Sequence, residues 1–406
     1  MDRTAPTSPA PAQTAPRRKL SLADLREEPF RLFFPLGVLA GLLGVAMWPL
    51  YFGGYLEIYP GAGHTRLMGQ GFFGAFIFGF LGTALPRMIA AKPFLLTMFG
   101  AFAVLFGVFM AENMIGNTQV ADGAFLAILL MFVFAAGIRF VQRKDVPPPG
   151  FILIALSFAC AIAGTAIGLI GEWVALNGMW FRVRPLLAYQ GFVLLPILGV
   201  GAFILPKFLK LENTHNFPES VRPPEGWWPK ALFALAVGLA IVASFFIEAQ
   251  GWVRPAYALR FLAAASYLCR ELPLWKSGLS GNAITWTLRG AMLMVLLGLL
   301  AVAILPAYRI GLLHILLIGG LGLITIIVAT RVIFGHSGNG AALMQPNRWM
   351  WWCAGLIVIG MATRISGDFL PHILASHYNY GALCWAIGMG IWSWKVLPKV
   401  LVPDEE

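Results

Sequence analysis

The sequence has little charge and few cysteines. Only 12% of its 406 residues are Asp, Glu, Lys or Arg, whereas 59% are hydrophobic and the mean hydropathy is +0.77. Soluble domains carry about 25% charged residues, so this composition excludes a soluble globular protein. The four cysteines have no CxxC or CxxCH spacing, which excludes a zinc ribbon and covalently attached haem. Phosphate-loop, dinucleotide-binding and catalytic-triad motifs are also absent from the sequence.

Long apolar runs fill most of the chain. Each is long enough to cross the hydrocarbon core of a bilayer, which is about 30 Å thick. They predict an all-α, polytopic transmembrane helical bundle over residues 30–402, preceded by a Pro-rich disordered tail over residues 1–29. We predict twelve spans, near residues 32–53, 65–87, 93–111, 121–141, 150–171, 185–207, 229–248, 255–275, 286–306, 309–333, 349–368 and 378–398. The eighth span is the most polar, because it contains Arg260.

The basic residues predict the orientation in the membrane. If both termini are cytoplasmic, most of the 29 Lys and Arg residues lie on the cytoplasmic side. The positive-inside rule therefore predicts a multi-pass membrane protein with cytoplasmic N- and C-termini. The net charge of +11 is spread over many loops. It indicates contact with anionic membrane lipids and no binding of nucleic acid.

One apolar segment recurs along the chain. QGFFGAFIFGFLGTALPR (70–87) and QGFVLLPILGVGAFILPK (190–207) begin alike and end alike, on proline followed by a cation. A third segment, 314–331, has the same length, and His314 stands where the other two have glutamine. We predict that these three helices, four spans apart, occupy equivalent inner positions, with their closing cations together at one face. Such a repeat suggests a membrane scaffold built around a cofactor.

Histidine is the most informative residue type, because the chain has only six. His64 and His314 begin the second and tenth spans at the same face, and haem needs two axial ligands from separate helices. They are candidate haem ligands, although interfacial histidines that contact backbone or lipid remain an alternative. His336 follows His314 by 22 residues, about 33 Å along a helix, so these two do not share a metal. The other three lie in predicted loops: His215, His372 and His377.

Five segments resemble the NnrS family of membrane proteins. They are FRLFFPLGVLAGLLGVAMWPL (30–50), the second span from His64 (64–86), ILPKF (204–208), the tenth span through ATRVIFGHSG (314–338) and WKVLPKVLVP (394–403). The resemblance implies a haem- and copper-containing bacterial protein linked to nitric oxide metabolism and nitrosative stress. It also implies a fold similar to the twelve-helix core of haem-copper oxidases, with a repeat of four helices.

The resemblance also implies the ligands. His64 matches the first histidine of the family's HxHE pattern, and His314 and His336 match two histidines of its tenth span. Arg66 and Leu67 replace the second His and the Glu of HxHE, which weighs against copper. Arg66 is instead a candidate for neutralising a haem propionate.

Two functions remain open at this stage. The first is a membrane haem b protein that binds nitric oxide or passes electrons from a donor. The second is a membrane transporter of a small solute. The three-fold repeat favours the haem protein, because transporters are commonly built from two halves. The acidic residues of the apolar segments, such as Asp122 and Glu248, lie near predicted helix ends and outline no ion path.

Overall fold

The computed structural model describes residues 18–171, 173–278 and 280–403. Within these residues the chain is entirely helical apart from turns and loops, and thirteen helices account for most of it. A short helix precedes twelve long ones. The helices are α1 Leu22–Glu27, α2 Phe30–Phe52, α3 Gly61–Met88, α4 Leu96–Met114, α5 Thr118–Val141, α6 Pro149–Gly171, α7 Gly178–Leu209, α8 Trp227–Ala249, α9 Val253–Glu271, α10 Ala283–Ile304, α11 Pro306–Gly335, α12 Arg348–Phe369 and α13 Leu374–Val396.

Each of the twelve predicted spans corresponds to one long helix. In the described part of the chain, ten of these helices are both long enough and apolar enough to cross a membrane. The exceptions are α9, whose polarity comes from three arginines and Glu271, and α13, which is rich in Tyr, Trp and other polar residues. Both still pack within the bundle, α9 against α8 and α10, and α13 against α12 and α2. The all-α polytopic prediction is therefore confirmed.

The predicted tail is only partly described. Residues 1–17 lie outside the described residues, but the tail from Arg18 onwards contains α1. Ser21 and Asp24 form a reciprocal capping box at its first turn, which satisfies backbone donors that a six-residue helix otherwise leaves open. Glu28, at the end of the predicted tail, is buried. The folded region thus begins before the boundary that the sequence predicted at Phe30.

The three repeated helices form the interior of the bundle. Helices α3, α7 and α11 contact one another, and α3 and α7 are more deeply buried than any other candidate span in the described residues. Their closing cations, Arg87, Lys207 and Arg331, line a single cavity at the end of the bundle where the helices terminate. The predicted inner position of the repeat is confirmed, as is the clustering of these three residues.

Each repeated helix is interrupted by a π-helical segment. These segments cover Leu67–Phe72 in α3, Leu186–Gly191 in α7 and Ile315–Gly322 in α11. A π segment inserts a residue into the α-helical hydrogen-bond pattern, and such insertions are rare and concentrated at functional sites. His64 lies in the α-helical turn before the first segment, and His314 directly precedes the third.

Two glycines permit close approach of neighbouring helices. A Cβ added to Gly164 of α6 would lie 2.5 Å from the backbone nitrogen of Ala188 in the π segment of α7. A Cβ added to Gly298 of α10 would lie 2.5 Å from the backbone nitrogen of Leu316 in the π segment of α11. Small residues at such contacts are typical of packed membrane helices. The π segments of α7 and α11 are therefore held by direct backbone packing.

Candidate functional site

A cavity of about 750 Å³ lies near the end of the bundle where α3, α7 and α11 begin. We call it the histidine cavity, because both His64 and His314 line it. The sequence predicted His64 at the start of the second span, and α3 begins three residues earlier, at Gly61. The two histidines that the sequence paired thus line one cavity, and their role as haem ligands stays a prediction.

The two imidazoles are oriented in the same way. Nδ1 of His64 lies 2.9 Å from the carbonyl oxygen of Gly44, and Nδ1 of His314 lies 2.8 Å from that of Ile310. A carbonyl oxygen only accepts, so Nδ1 carries the proton in both rings. The lone pair of each neutral ring is therefore on Nε2, which is the arrangement found in metal-ligating histidines.

Apolar and aromatic side chains form much of the remaining wall. Trp48 packs edge-on against His64, with ring centroids 5.7 Å apart, and it packs in the same manner against Tyr378 at 4.8 Å. The other apolar lining residues include Val45, Met68, Phe72, Phe73, Leu313, Leu317 and Trp385. A cavity of this size and lining is typical of sites for cofactors and small molecules.

One wall of the cavity carries a buried charge network. Arg260 of α9 is fully buried and donates to Glu248 (2.8 Å), to the side-chain oxygen of Gln190 (2.7 Å) and to Ser244 (2.9 Å). Glu248 also accepts a hydrogen bond from Arg309 at 2.9 Å. Glu248, Gln190 and Arg309 line the cavity, and Arg260 lies behind them. The most polar predicted span thus contains arginine because that residue pairs inside the bundle.

A second charged group comes from α12 and α13. Arg364 is buried, donates to Asp368 at 2.7 Å and lies over the ring of Tyr378, 3.7 Å from its centroid. The Tyr378 hydroxyl donates to the same carboxylate at 2.7 Å. Arg364 lines the histidine cavity together with His64 and His314. It is therefore a cation fixed in the same cavity as the two imidazoles.

Arg66 lies in a different position from the one its sequence neighbourhood suggested. It is buried and binds Asp122 of α5 through two hydrogen bonds, of 2.8 and 2.7 Å. Arg66 is not among the described residues that line the histidine cavity, although its neighbours Thr65 and Met68 are. The cations at the cavity are instead Arg182, Arg309 and Arg364.

His336 lies at the opposite end of α11, as its distance from His314 along the helix predicted. It follows the last residue of the helix, and its Nδ1 is 2.6 Å from Glu28. Arg31 and Arg87 contact the same carboxylate. Burial raises the pKa of Glu28, but the hydrogen bond and charge of His336 and the charge of Arg31 outweigh this and hold it below its usual value. His336 is therefore separate from the histidine cavity.

The remaining histidines also lie away from the cavity. His215 is buried against Glu271, with a distance of 2.8 Å from Nε2 to the carboxylate, and it secures the loop after α7 to the end of α9. His372 is exposed, and His377 lies in α13, where it contacts the hydroxyl of Ser366 at 2.8 Å. Across the described ranges, no three His, Cys, Asp or Glu side chains are grouped closely enough to hold a metal.

Comparison with protein families is consistent with this architecture. The family model described as NnrS protein matches residues 24–403, nearly the whole chain. The match includes all twelve long helices and both histidines of the cavity. A comparison with curated proteins gives no match.

Proposed function

The chain belongs to the NnrS family, and from this we propose that it is an integral membrane haem b protein of nitric oxide metabolism or the nitrosative stress response. One observation carries the proposal. His64 and His314, on two inner helices, line one cavity, and each directs its protonated nitrogen to a backbone carbonyl. Two neutral imidazoles with available Nε2 atoms are the ligand set of a bis-histidine haem.

The histidine cavity fits haem in size, polarity and charge. Its volume of about 750 Å³ and its aromatic walls suit a large, flat, apolar molecule. The charged lining residues are three arginines and two carboxylates, Glu248 and Asp368, and the buried Arg260 adds a further cation beside them. This excess of positive charge suits the two propionates of haem. When bound, haem would supply an iron that accepts and passes one electron, and nitric oxide would bind that iron only in place of one of the two imidazoles.

The residues of the chain have distinct roles in this proposal. His64 and His314 would hold the iron through Nε2, and the carbonyl oxygens of Gly44 and Ile310 fix the orientation of the two rings. Arg309 and Arg364, which line the same cavity, would pair with the haem carboxylates. Glu248 holds Arg309, and Asp368 holds Arg364, by hydrogen bonds of 2.9 and 2.7 Å. Because these cations are already paired, they are positioned before any cofactor binds.

Copper is outside the proposal. Arg66 and Leu67 occupy the positions of the second His and the Glu of the family's HxHE pattern. Arg66 is bound to Asp122 and away from the lining of the histidine cavity. A guanidinium carries no lone pair for a metal, so this position contributes charge rather than a ligand.

The experiment that tests the proposal is a reduced-minus-oxidised absorbance spectrum of the detergent-purified full chain. We expect a haem b spectrum that is lost in His64→Ala and in His314→Ala. The matched control is His372→Ala, which removes an exposed histidine and should leave the spectrum intact. Equal membrane levels of all variants would show that folding is retained. A transporter would show no haem in any variant, and a spectrum that survives either cavity substitution would contradict the ligand pair.

We further propose that the protein resides in a bacterial inner membrane with both termini in the cytoplasm. The basis is the excess of basic residues at the end where α3, α7 and α11 terminate. The histidine cavity then faces the periplasmic side, and an electron donor would approach it from there or through the membrane. A reporter fused in the loop at Asn117 should be periplasmic and one at the C-terminus cytoplasmic. A cytoplasmic reporter at Asn117 would contradict this orientation.

A further inference from the structure

A second cavity, of about 1450 Å³, lies where α3, α7 and α11 end. We call it the basic cavity, because five Lys or Arg residues and His336 line it. No Asp or Glu occurs among the described residues of its lining. The five basic residues are Arg87, Lys207, Lys210, Arg331 and Arg348.

The repeat itself assembles most of this charge. Arg87, Lys207 and Arg331 are the closing cations of the three repeated helices, and Lys210 follows the end of α7. Cations are favourable at helix C-termini, where backbone carbonyls lack partners. That explains Arg87 and Lys207, which lie in the last turns of α3 and α7, whereas Arg331 lies about one turn before the end of α11. Because the helices converge, however, the same rule brings like charges together, and their mutual repulsion opposes the arrangement.

Little acidic charge compensates this cluster. Glu28 binds Arg87 at 3.1 Å, but the same carboxylate is shared with Arg31 and His336. In the described residues, Lys207, Lys210, Arg331 and Arg348 form no ion pair with a carboxylate. Arg331 lies over the ring of Phe208, 5.0 Å from its centroid. Among the described residues, therefore, most of the positive charge of the basic cavity is not compensated by carboxylates.

Two helix N-termini lie at the basic cavity, and that of α10 is capped by Asn282, whose amide oxygen accepts from the backbone N–H of Thr285. The first turns of α10 and α12 line the basic cavity through residues such as Ala283, Thr285 and Arg348. No side chain caps α12, because the amide oxygen of Asn347 accepts from the indole of Trp349 instead. The N-terminal ends of helices favour anions and bind phosphate through their backbone N–H groups.

We propose that the basic cavity binds a phosphate-bearing anion. The observations are the cation-lined cavity, the absence of lining carboxylates in the described chain and the two helix N-termini. Trp286 and Trp351 also line it, and both are part-exposed, as is typical of residues at the headgroup level of a membrane. The phosphate comes either from an anionic phospholipid headgroup or from a soluble phosphate compound. This proposal does not rest on haem binding.

The test uses the full-length protein in nanodiscs of phosphatidylcholine. Two probes are compared: phosphatidylglycerol added to the bilayer and pyrophosphate added to the buffer. Binding is measured by the shift in thermal unfolding temperature and by native mass spectrometry. Stabilisation by phosphatidylglycerol alone identifies a lipid headgroup, and stabilisation by pyrophosphate alone or by both identifies a soluble-phosphate site. Stabilisation by neither probe overturns the proposal.

The variants decide whether the binding is at this cavity. Lys207→Gln/Arg331→Gln removes two lining cations and should weaken binding about 25-fold, from about fivefold for each charge near an anionic surface. The control Lys144→Gln/Arg222→Gln removes one exposed Lys and one exposed Arg from loops outside the cavity lining and should bind as wild type. Lys207→Arg keeps the charge and should also bind normally. Equal weakening in the cavity and control variants would assign the effect to general surface charge and overturn the site.

Discussion

Arg260 provides the sharpest test of how the bundle is held together. It is fully buried on α9, and its guanidinium donates to Glu248, Gln190 and Ser244 within 2.9 Å. Its guanidinium carbon also lies 4.3 Å from the ring centroid of Tyr257. Arg260→Met retains most of the side-chain volume but removes these hydrogen-bond donors, so the Glu248 carboxylate loses one of its two arginine partners and the Gln190 amide oxygen loses its donor.

Breaking one partner of a buried ion pair costs about 3–5 kcal/mol. Glu248 keeps its hydrogen bond from Arg309, so we expect a loss of about 3 kcal/mol in the free energy of unfolding, at the lower end of that range. Adding Glu248→Gln to Arg260→Met should recover part of the lost free energy of unfolding, because the second substitution removes the buried negative charge that Arg260 no longer compensates.

The assay is equilibrium unfolding in mixed micelles for wild type, both single variants and the double variant. Arg254→Met is the matched control, because Arg254 is exposed on the same helix. We expect its free energy of unfolding to change by less than about 0.5 kcal/mol. The buried network does not stabilise the fold if Arg260→Met lowers the free energy of unfolding no more than Arg254→Met does. The same conclusion follows if the effects of Arg260→Met and Glu248→Gln simply add in the double variant.

Two further predictions concern other parts of the bundle. The pKa of Glu28 is held below its ordinary 4.5, so its ion pairs stabilise the fold above about that pH and are lost as pH falls through the lower folded-state pKa. Unfolding followed against pH should show stability falling in acid, and Glu28→Gln should show a smaller fall. Gly298→Ala should cost about 1–3 kcal/mol because its Cβ would meet the backbone of α11. Gly290 lies on the same helix with open space around it, so Gly290→Ala should leave the free energy of unfolding unchanged or raise it. Equal effects of the two substitutions would contradict the close contact between Gly298 and α11.

Much of the fold could be predicted from the sequence, because membrane helices are defined by composition. Twelve apolar segments gave twelve long helices, and the repeat gave their inner positions. The helix starts were less accurate: α7 begins at Gly178 rather than near residue 185. The first turns of α7 contain Arg182 and Arg184, so they are too polar to be recognised as part of an apolar span. Arg182 nevertheless lines the histidine cavity.

The site was predictable in part. His64 and His314 could be paired from depth and helix number, because histidine is rare in this chain. Arg364 was missed as a site residue because it is brought to the two histidines by the packing of α12, which no local pattern records. Arg66 was chosen for its closeness to His64 along the chain, yet the direction of its side chain towards Asp122 depends on where α5 packs.

The π segments could not be predicted either, and they determine more than local geometry. An α-helix turns by about 100° per residue, so one inserted residue changes the angular phase between the two halves of a helix. Deleting a single residue within Ile315–Gly322 would convert the segment to α-helix and rotate His314 by about a quarter turn relative to Arg331. The number of residues between the basic cavity and the histidine cavity therefore sets the direction in which side chains at the start of each repeated helix point, including the two imidazoles. We therefore expect single-residue insertions or deletions within these three helices to misdirect the cavity side chains, whereas the same changes in the loops should leave them in place.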